Sequence, residues 1–346
     1  MTLPVGKLPA EFLAGLLERI PLNDPRVLVG PGIGLDCAVI ELGETLLVFK
    51  SDPITFATEE IGWYAVHVNA NDIATTGAVP RWMLTTLLLP EGRTTPEVAE
   101  QIHDQITASC EEIGVTIIGG HTEITFGLDR PILVGTMIGE VNRDELVTPR
   151  GAQPGDRILL TKGVPIEATA ILAHEFTRDL LSVLGKTEIE TAKDYLKQPG
   201  ISVLRDARIA LRTGKVTAMH DPTEGGLYAA LWELSEASQQ SLWIDPSTVP
   251  VSSLSGRICQ AMGIDPLGAI ASGSLLLTTS PKDTQKIRFS IKDAGILCAE
   301  IGYVMTADEF YATRRPAVWY PTPGGLQPLP CPKRDEIASL FSDNIN

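Results

Sequence analysis

Apolar positions recur along the first half of the chain with two alternating periods. Val98, Ile102, Ile106, Cys110 and Ile113 fall at three- and four-residue steps, which predicts one buried face of a helix over 96–113. Pro96 suits its first turn, and Thr94 with Glu97 has the spacing of a capping box. Cys110 belongs to the apolar stripe and reads as core filler. Short apolar runs between turn-prone residues predict strands at TLLVFK (45–50), RWMLTTLLLP (81–90), VTII (115–118) and PILVGTMIGEV (131–141). A further helix over 60–76 is stopped by Gly77. The Pro- and Gly-rich TPRGAQPGD, 148–156, predicts a boundary between domains 1–150 and 151–346. Beyond it, helix-like stretches at 166–180, 201–212 and 222–238 alternate with the strand-like SLLLTTS and ILCAEIGYV. WYPTPGGLQPLPCP reads as an extended tail along a surface, closed by a short helix. The fold class is α/β or α+β with two domains.

Charge and composition narrow the function. The 346 residues carry 28 basic and 43 acidic side chains, a formal net charge of −15, which argues against a large nucleic-acid footprint. No run approaches the roughly 18 apolar residues of a membrane span, and MTLPVGKLPAEF lacks the pattern of a signal peptide. Five scattered cysteines without a CxxC fit reduced thiols in a cytoplasmic protein and offer no zinc site. The Walker signature, GxSxG and HExxH are absent, and GPGIG has the wrong spacing for a dinucleotide loop.

Five segments put carboxylates or backbone donors where a polar ligand could sit. In GPGIGLDCAVI, Gly32 and Gly34 would let amides approach an anion, with Asp36 at the exit; the competing reading is a plain loop with Asp36 in an Asx-turn. Asp52 in KSDP ends a strand, a common ligand position or simply a turn before proline. Asn69 and Asp72 share a helix face, and poor helix formers there suit the oxygen donors of Mg²⁺ or a solvated face. In IIGGHTE a strand opens into Gly119 and Gly120, with His121, Thr122 and Glu123 at the rim. HDPTEGGL reads as a helix start with Asp221 as N-cap, Pro222 at N1 and Glu224 at N3, and its paired glycines after Thr223, Gly225 and Gly226, would let a phosphate approach the helix N-terminus.

Taken in order, these segments resemble the AIR synthase (PurM-like) superfamily, closest to its HypE-like hydrogenase-maturation branch. GIGLDCAVI resembles the family's glycine-plus-acid segment, NANDIATTGAVP its N-x-x-D helix end, IIGGHT its GGDT, and HDPTEGGL its H-D-P-T-x-G-G-L. The resemblance covers about residues 5–306. It implies a dimerising N-terminal mixed sheet, a C-terminal α/β domain, and ATP bound through Mg²⁺. Asp36, Asp52, Asn69, Asp72 and Glu123 match the metal positions. Gly32, Gly34, Gly119, Gly120, Thr122, Asp221, Thr223 and Gly225 match the nucleotide positions. Lys7, in a terminus resembling the family's mobile glycine-lysine segment, joins His121 and Glu224 as a catalytic candidate.

Three positions depart from the pattern. Leu35 replaces the first acid of the usual pair, and His121 replaces the aspartate of GGDT. Cys331 lies between prolines, fifteen residues before the end, unlike a swinging terminal thiol. The resemblance implies an ATP- and Mg²⁺-dependent homodimeric enzyme that activates a carbonyl-like oxygen by phosphoryl transfer, with a carbamoyl-type or other small substrate and a maturation partner protein. The alternatives are a small-molecule kinase like thiamine-monophosphate kinase, and a non-catalytic nucleotide-binding scaffold.

Overall fold

The computed structural model describes residue 3 and residues 6–55, 60–306 and 317–342. The chain forms two units. A central unit comprises Leu22–Pro31 and Asp36–Leu146; a terminal unit comprises Met1–Pro21, Gly32–Leu35 and Val147–Asn346. The last crossing, after Leu146, comes just before the Pro- and Gly-rich segment, whereas the first residues group with the later half of the chain.

The central unit is a six-stranded sheet built from β1 (Val27–Val29), β2 (Ala38–Leu42), β3 (Thr45–Ile54), β4 (Val79–Pro90), β5 (Thr116–Thr125) and β6 (Ile132–Val141). Their order is β1-β2-β3-β6-β4-β5, and only β4 and β5 run parallel. Helices α2 (Ile61–Thr75) and α3 (Pro96–Ile113) cover one face; α1 (Ala10–Leu17) belongs to the terminal unit. Every residue of α2 except Trp63 is buried, which its small and apolar residues permit. A Cβ on Gly62 would lie 2.7 Å from the Ile102 carbonyl oxygen, so glycine lets α2 and α3 touch backbone to backbone.

The cap of α3 is one residue later than its spacing predicts. Thr95 accepts the Val98 N–H at 3.5 Å, while the Thr94 hydroxyl donates to the Pro90 carbonyl. Cys110 packs 3.7 Å from the Met83 sulfur, and burial pushes its thiol up to about 11, as a core residue should. Among the described residues, no helix of this unit lies over the other face of the sheet. That face presents the half-buried Phe49, Leu84, Leu88, Ile132, Val134 and Ile138.

The terminal unit holds β7 (Arg157–Thr161), β8 (Val216–His220), β9 (Leu242–Ile244), β10 (Leu276–Thr279), β11 (Cys298–Val304), β12 (Val318–Thr322) and β13 (Gly325–Leu329). Their order is β13-β12-β9-β11-β7-β10-β8. Helices α4 (Ile166–Glu175), α5 (Thr177–Leu180), α6 (Lys186–Lys193), α7 (Leu204–Thr213), α8 (Gly226–Ser238), α9 (Ser253–Met262), α10 (Pro281–Asp293) and α11 (Ala338–Ser342) complete it. One core joins this sheet to α8 through Ile158, Leu160, Leu227, Leu231 and Leu276. A second gathers Ala168, Leu172, Leu180, Ile189 and Ile258, with Ile337 and Leu340 packed against it.

Three sequence expectations are corrected here. The stretch 166–180 breaks into two helices at Phe176. The proline-rich segment is a hairpin that joins the sheet through a parallel β12–β9 pair, turning at Pro323 and Gly324, rather than a tail along a surface. And α8 starts at Gly226, with Gly225 as N-cap and no side-chain cap, so Asp221 does not cap it. The reason lies in the glycines. Gly225 and Gly226 have φ of 79° and 61°, and a Gly226 Cβ would meet the Leu267 and Ala269 carbonyl oxygens at 2.6 Å.

Candidate functional site

Alternation along β3 sends Leu46, Val48, Lys50, Asp52 and Ile54 to the face that α2 covers. Lys50 therefore points under α2, where its Nζ lies 3.0 Å from Asp72 and 3.7 Å from Asp52. Burial opposes the ammonium, but Asp72, Asp36 and Asp52 outweigh it and lift the amine well above its ordinary value. Asp72 and Asp52 thus contact one ammonium, and the charge of Asp36 acts on it as well. Asn69, one turn before Asp72, donates its Nδ2 to the Ala65 carbonyl at 2.8 Å. Its Oδ1 is buried with no hydrogen-bond partner among the described residues. Asn69 lies over Gly135, where any Cβ would sit 2.5 Å from the carboxamide nitrogen, and Gly135 pairs directly with Asp52.

This donor set fits a hard divalent cation. Formally, three carboxylates less one ammonium leave −2, the charge that one Mg²⁺ cancels, and the Asn69 oxygen lacks a donor. Asp36, Asp52, Asn69 and Asp72 are the residues that would hold it. The sequence motifs pass over Lys50, although its parity with Leu46 and Val48 places it on the buried face.

The IIGGHTE segment is not a rim but the middle of edge strand β5. Asp52, Gly135, Thr85 and Gly120 stand in one row across the sheet, so Gly120 lies three strands, roughly 14 Å, from Asp52. Gly120 and Thr122 share the helix-covered face; His121 and Glu123 project from the opposite one. The structure therefore does not bring Glu123 to Asp52 and Asp72 within the central unit. His121 Nε2 instead contacts Glu123 at 3.1 Å, and hydrogen bonds from Thr125 and then His121 hold the Glu123 carboxyl below its ordinary value. Strand packing alone requires glycine at 120, because the Thr85 carbonyl oxygen would lie 2.2 Å from a Cβ.

The remaining candidates lie in the terminal unit. Lys7 pairs with Glu233 at 3.4 Å, and the other Glu233 oxygen contacts His220 Nε2 at 2.8 Å. His220 and Asp221 are buried side by side, Nδ1 to Oδ1 at 4.0 Å. Gly34 has a φ of 70° and abuts α8, where the Glu233 carbonyl oxygen would be 2.5 Å from a Cβ; Gly32 bridges Leu35 in the same turn. Burial, then Glu233 and Glu236, push the Cys331 thiol up to about 11 against the pull of Lys7. Glu233 lies inside a helix pattern, and only its contact with His220 reveals it.

A third group surrounds the α8 N-terminus. The Gly225 N–H donates to Asp335 Oδ2 at 2.6 Å and the Ile337 N–H to Oδ1 at 3.0 Å. The amide proposed for an anion thus already holds a carboxylate from the chain's own C-terminal segment. The Thr223 carbonyl accepts the Gly226 N–H at 2.9 Å, and Glu224 faces both Asp335 and the buried Glu167. Burial, with Asp335 and Glu224 adding repulsion, pushes Glu167 up to about 7 despite its Ser272 hydrogen bonds. Burial likewise lifts Asp335 to about 6, opposed by the Gly225, Ile337 and Ile270 amides.

Known proteins are similar to this chain in sequence and fold. A Methanocaldococcus jannaschii protein named for hydrogenase expression and formation is 30% identical over 290 residues, spanning 81% of this chain and 82% of that protein. The carbamoyl dehydratase HypE of Rhizobium leguminosarum bv. viciae is 27% identical over 267 residues, 75% of this chain and 72% of that one. A crystal structure of the hydrogenase maturation protein HypE in complex with ATP superposes with a TM-score of 0.69 at 25% identity, covering 92% of this chain and 89% of its own. Residues 34–141 match the N-terminal domain of AIR synthase related proteins and residues 153–314 their C-terminal domain, so the chain belongs to the AIR synthase related family.

Proposed function

We propose that the chain is an ATP- and Mg²⁺-dependent enzyme of the carbamoyl-dehydratase kind, acting in the cytoplasm with a maturation partner protein. The observation that carries this reading is the pairing of Asp52 and Asp72 with Lys50, with the Asp36 charge acting on the same ammonium, beside an Asn69 oxygen that has no hydrogen-bond partner among the described residues. Bound there, Mg²⁺ would neutralise phosphate charge. The carbonyl-type oxygen of the substrate attacks the γ-phosphorus and ADP leaves; phosphate then departs with that oxygen as the carbon–oxygen bond breaks, replaced by a bond to an incoming nucleophile or by a multiple bond formed as the neighbouring nitrogen loses its proton. In the terminal unit, Lys7 and Glu224 are the proposed catalytic groups, and Asp221 and Thr223 proposed nucleotide neighbours. Gly32, Gly34, Gly119, Gly120, Thr122 and Gly225 remain proposed nucleotide neighbours, and His121 with Glu123 a proposed exposed pair on the open sheet face. That face, apolar and uncovered by any helix of its unit, supports pairing with a second copy.

Calorimetric titration with ATP, with and without Mg²⁺, tests the reading. Affinity should require Mg²⁺ and fall at least tenfold in Asp72→Asn, a change that keeps the side chain's shape. Mg²⁺-independent binding, or unchanged affinity in that variant, removes the metal role. Product analysis follows: free phosphate without a phosphorylated small molecule supports activation, whereas a phosphorylated product assigns a kinase. Binding without turnover assigns a scaffold.

A further inference from the structure

Two neighbouring helices of the terminal unit carry a charge opposite to that of the chain. Helix α7 exposes Arg205, Arg208 and Arg212 at steps of three and four, and Lys215 follows its end. Helix α10 exposes Lys282, Lys286 and Lys292, and Asp293 is the one exposed acid on the two helices. Their inner faces are fixed by Ala207 and Ala210 on one and by Thr284, Ile287 and Ile291 on the other, so the cations stand outward.

The helices run antiparallel as one ridge. A Cβ on Gly214, just past α7, would lie 3.0 Å from the Asp283 Cβ in the first turn of α10. At the other end Asp206 of α7 and Arg288 and Lys292 of α10 all act on the Cys298 thiol. From Lys282 to Lys292 the ridge is about 15 Å long. Among the described residues none of the seven exposed cations has a carboxylate within ion-pair distance. The chain's charge is −15, and a merely solvated face would interleave both signs. Between the cations, Phe289 is 71% exposed, and Leu297 beyond the end of α10 is also exposed.

We propose that this ridge docks an acidic segment of a partner protein, with Phe289 packed against an apolar side chain of that segment. An exposed aromatic ringed by charges is the centre-and-rim arrangement of a protein interface. A strand-tracking nucleic-acid site would need several stacking aromatics, and this ridge has one. Long polyanions are also repelled by the acidic remainder of the chain. A short acidic segment meets only the local cations, because charges beyond about 8 Å are screened at physiological salt.

The test uses the full chain and a fluorescein-labelled dodecapeptide of glutamate and aspartate with one central leucine, followed by anisotropy. Binding should weaken with added salt, and Arg208→Glu with Lys286→Glu should weaken it at least tenfold. Phe289→Ala should weaken it about fivefold at unchanged charge. Arg93→Glu with Arg130→Glu, in the central unit, should leave it unaltered. These side chains are exposed, and an unchanged thermal transition confirms that each variant folds. Three results overturn the proposal: no loss on reversing the ridge charges, no loss with Phe289→Ala, or tighter binding of a single-stranded oligonucleotide or polyphosphate of equal charge.

Discussion

Replacing Glu167 by glutamine should stabilise the region around α4, and only above weakly acidic pH. The carboxyl is fully buried, one of its oxygens has no hydrogen-bond partner among the described residues, and burial raises it from 4.5 to about 7. For an acid with a raised folded-state value, the folded form keeps its proton where the unfolded form has lost it. Stability therefore falls as pH rises from about 4.5 to about 7, by about 1.4 kcal/mol per pH unit, and then levels off. The difference of about 2.5 units corresponds to about 3 kcal/mol of destabilisation at pH 8. The neighbouring Asp335, lifted to about 6, shares the same mutual repulsion, so its cost is not simply added. Glutamine keeps the shape without the charge. Hydrogen exchange of the α4 amides, corrected for intrinsic rates, should show about a hundredfold greater protection in Glu167→Gln than in the parent at pH 8. The two should converge at pH 4.5. Equal protection at both pH values, or a parent that gains protection as pH rises, would refute the reasoning.

Gly226→Ala should cost about 3 kcal/mol in chemical denaturation, because the added methyl meets two carbonyl oxygens in a left-handed conformation; a loss under 1 kcal/mol would contradict that packing. The Cys331 thiol, raised to about 11, should alkylate slowly at pH 7.5 and faster as pH climbs toward 11, and Cys331→Ser should leave ATP turnover intact. Rapid labelling at pH 7.5, or lost turnover, would restore a nucleophilic role. Val134→Lys on the open face of the central sheet should shift sedimentation from dimer to monomer, and an unchanged sedimentation coefficient would place any pairing elsewhere.

What was legible in the sequence depended on whether the signal was local. The α3 stripe and the β6 alternation reproduce as elements because each residue's neighbour is three, four or two positions away. Asp52, Asn69 and Asp72 stand out by residue type and position, and the structure sets Asp52 and Asp72 on one lysine. Lys50 does not, because a charged residue inside an apolar strand looks like strand-end polarity until α2 is laid over it. The glycine pairs have a packing reason in both segments that the sequence does not show. At Gly120 and Gly226 the need for a missing Cβ comes from carbonyls 35 to 43 positions away, which no local pattern shows. Asp335 could not be anticipated at all, since its donors are brought from Gly225 and Ile270 by the fold.

The interleaving of the two units bears on how this protein can be taken apart. The chain passes from one unit to the other after Pro21, Pro31, Leu35 and Leu146. No single cut therefore yields either unit complete. A fragment ending at Leu146 strands its first 21 residues away from the unit they group with, and one beginning at Val147 lacks Lys7, the partner of Glu233. Expressing the terminal unit by itself would instead mean joining residues 1–21, 32–35 and 147–346, and the Lys7–Glu233 pair would report whether the splice had worked.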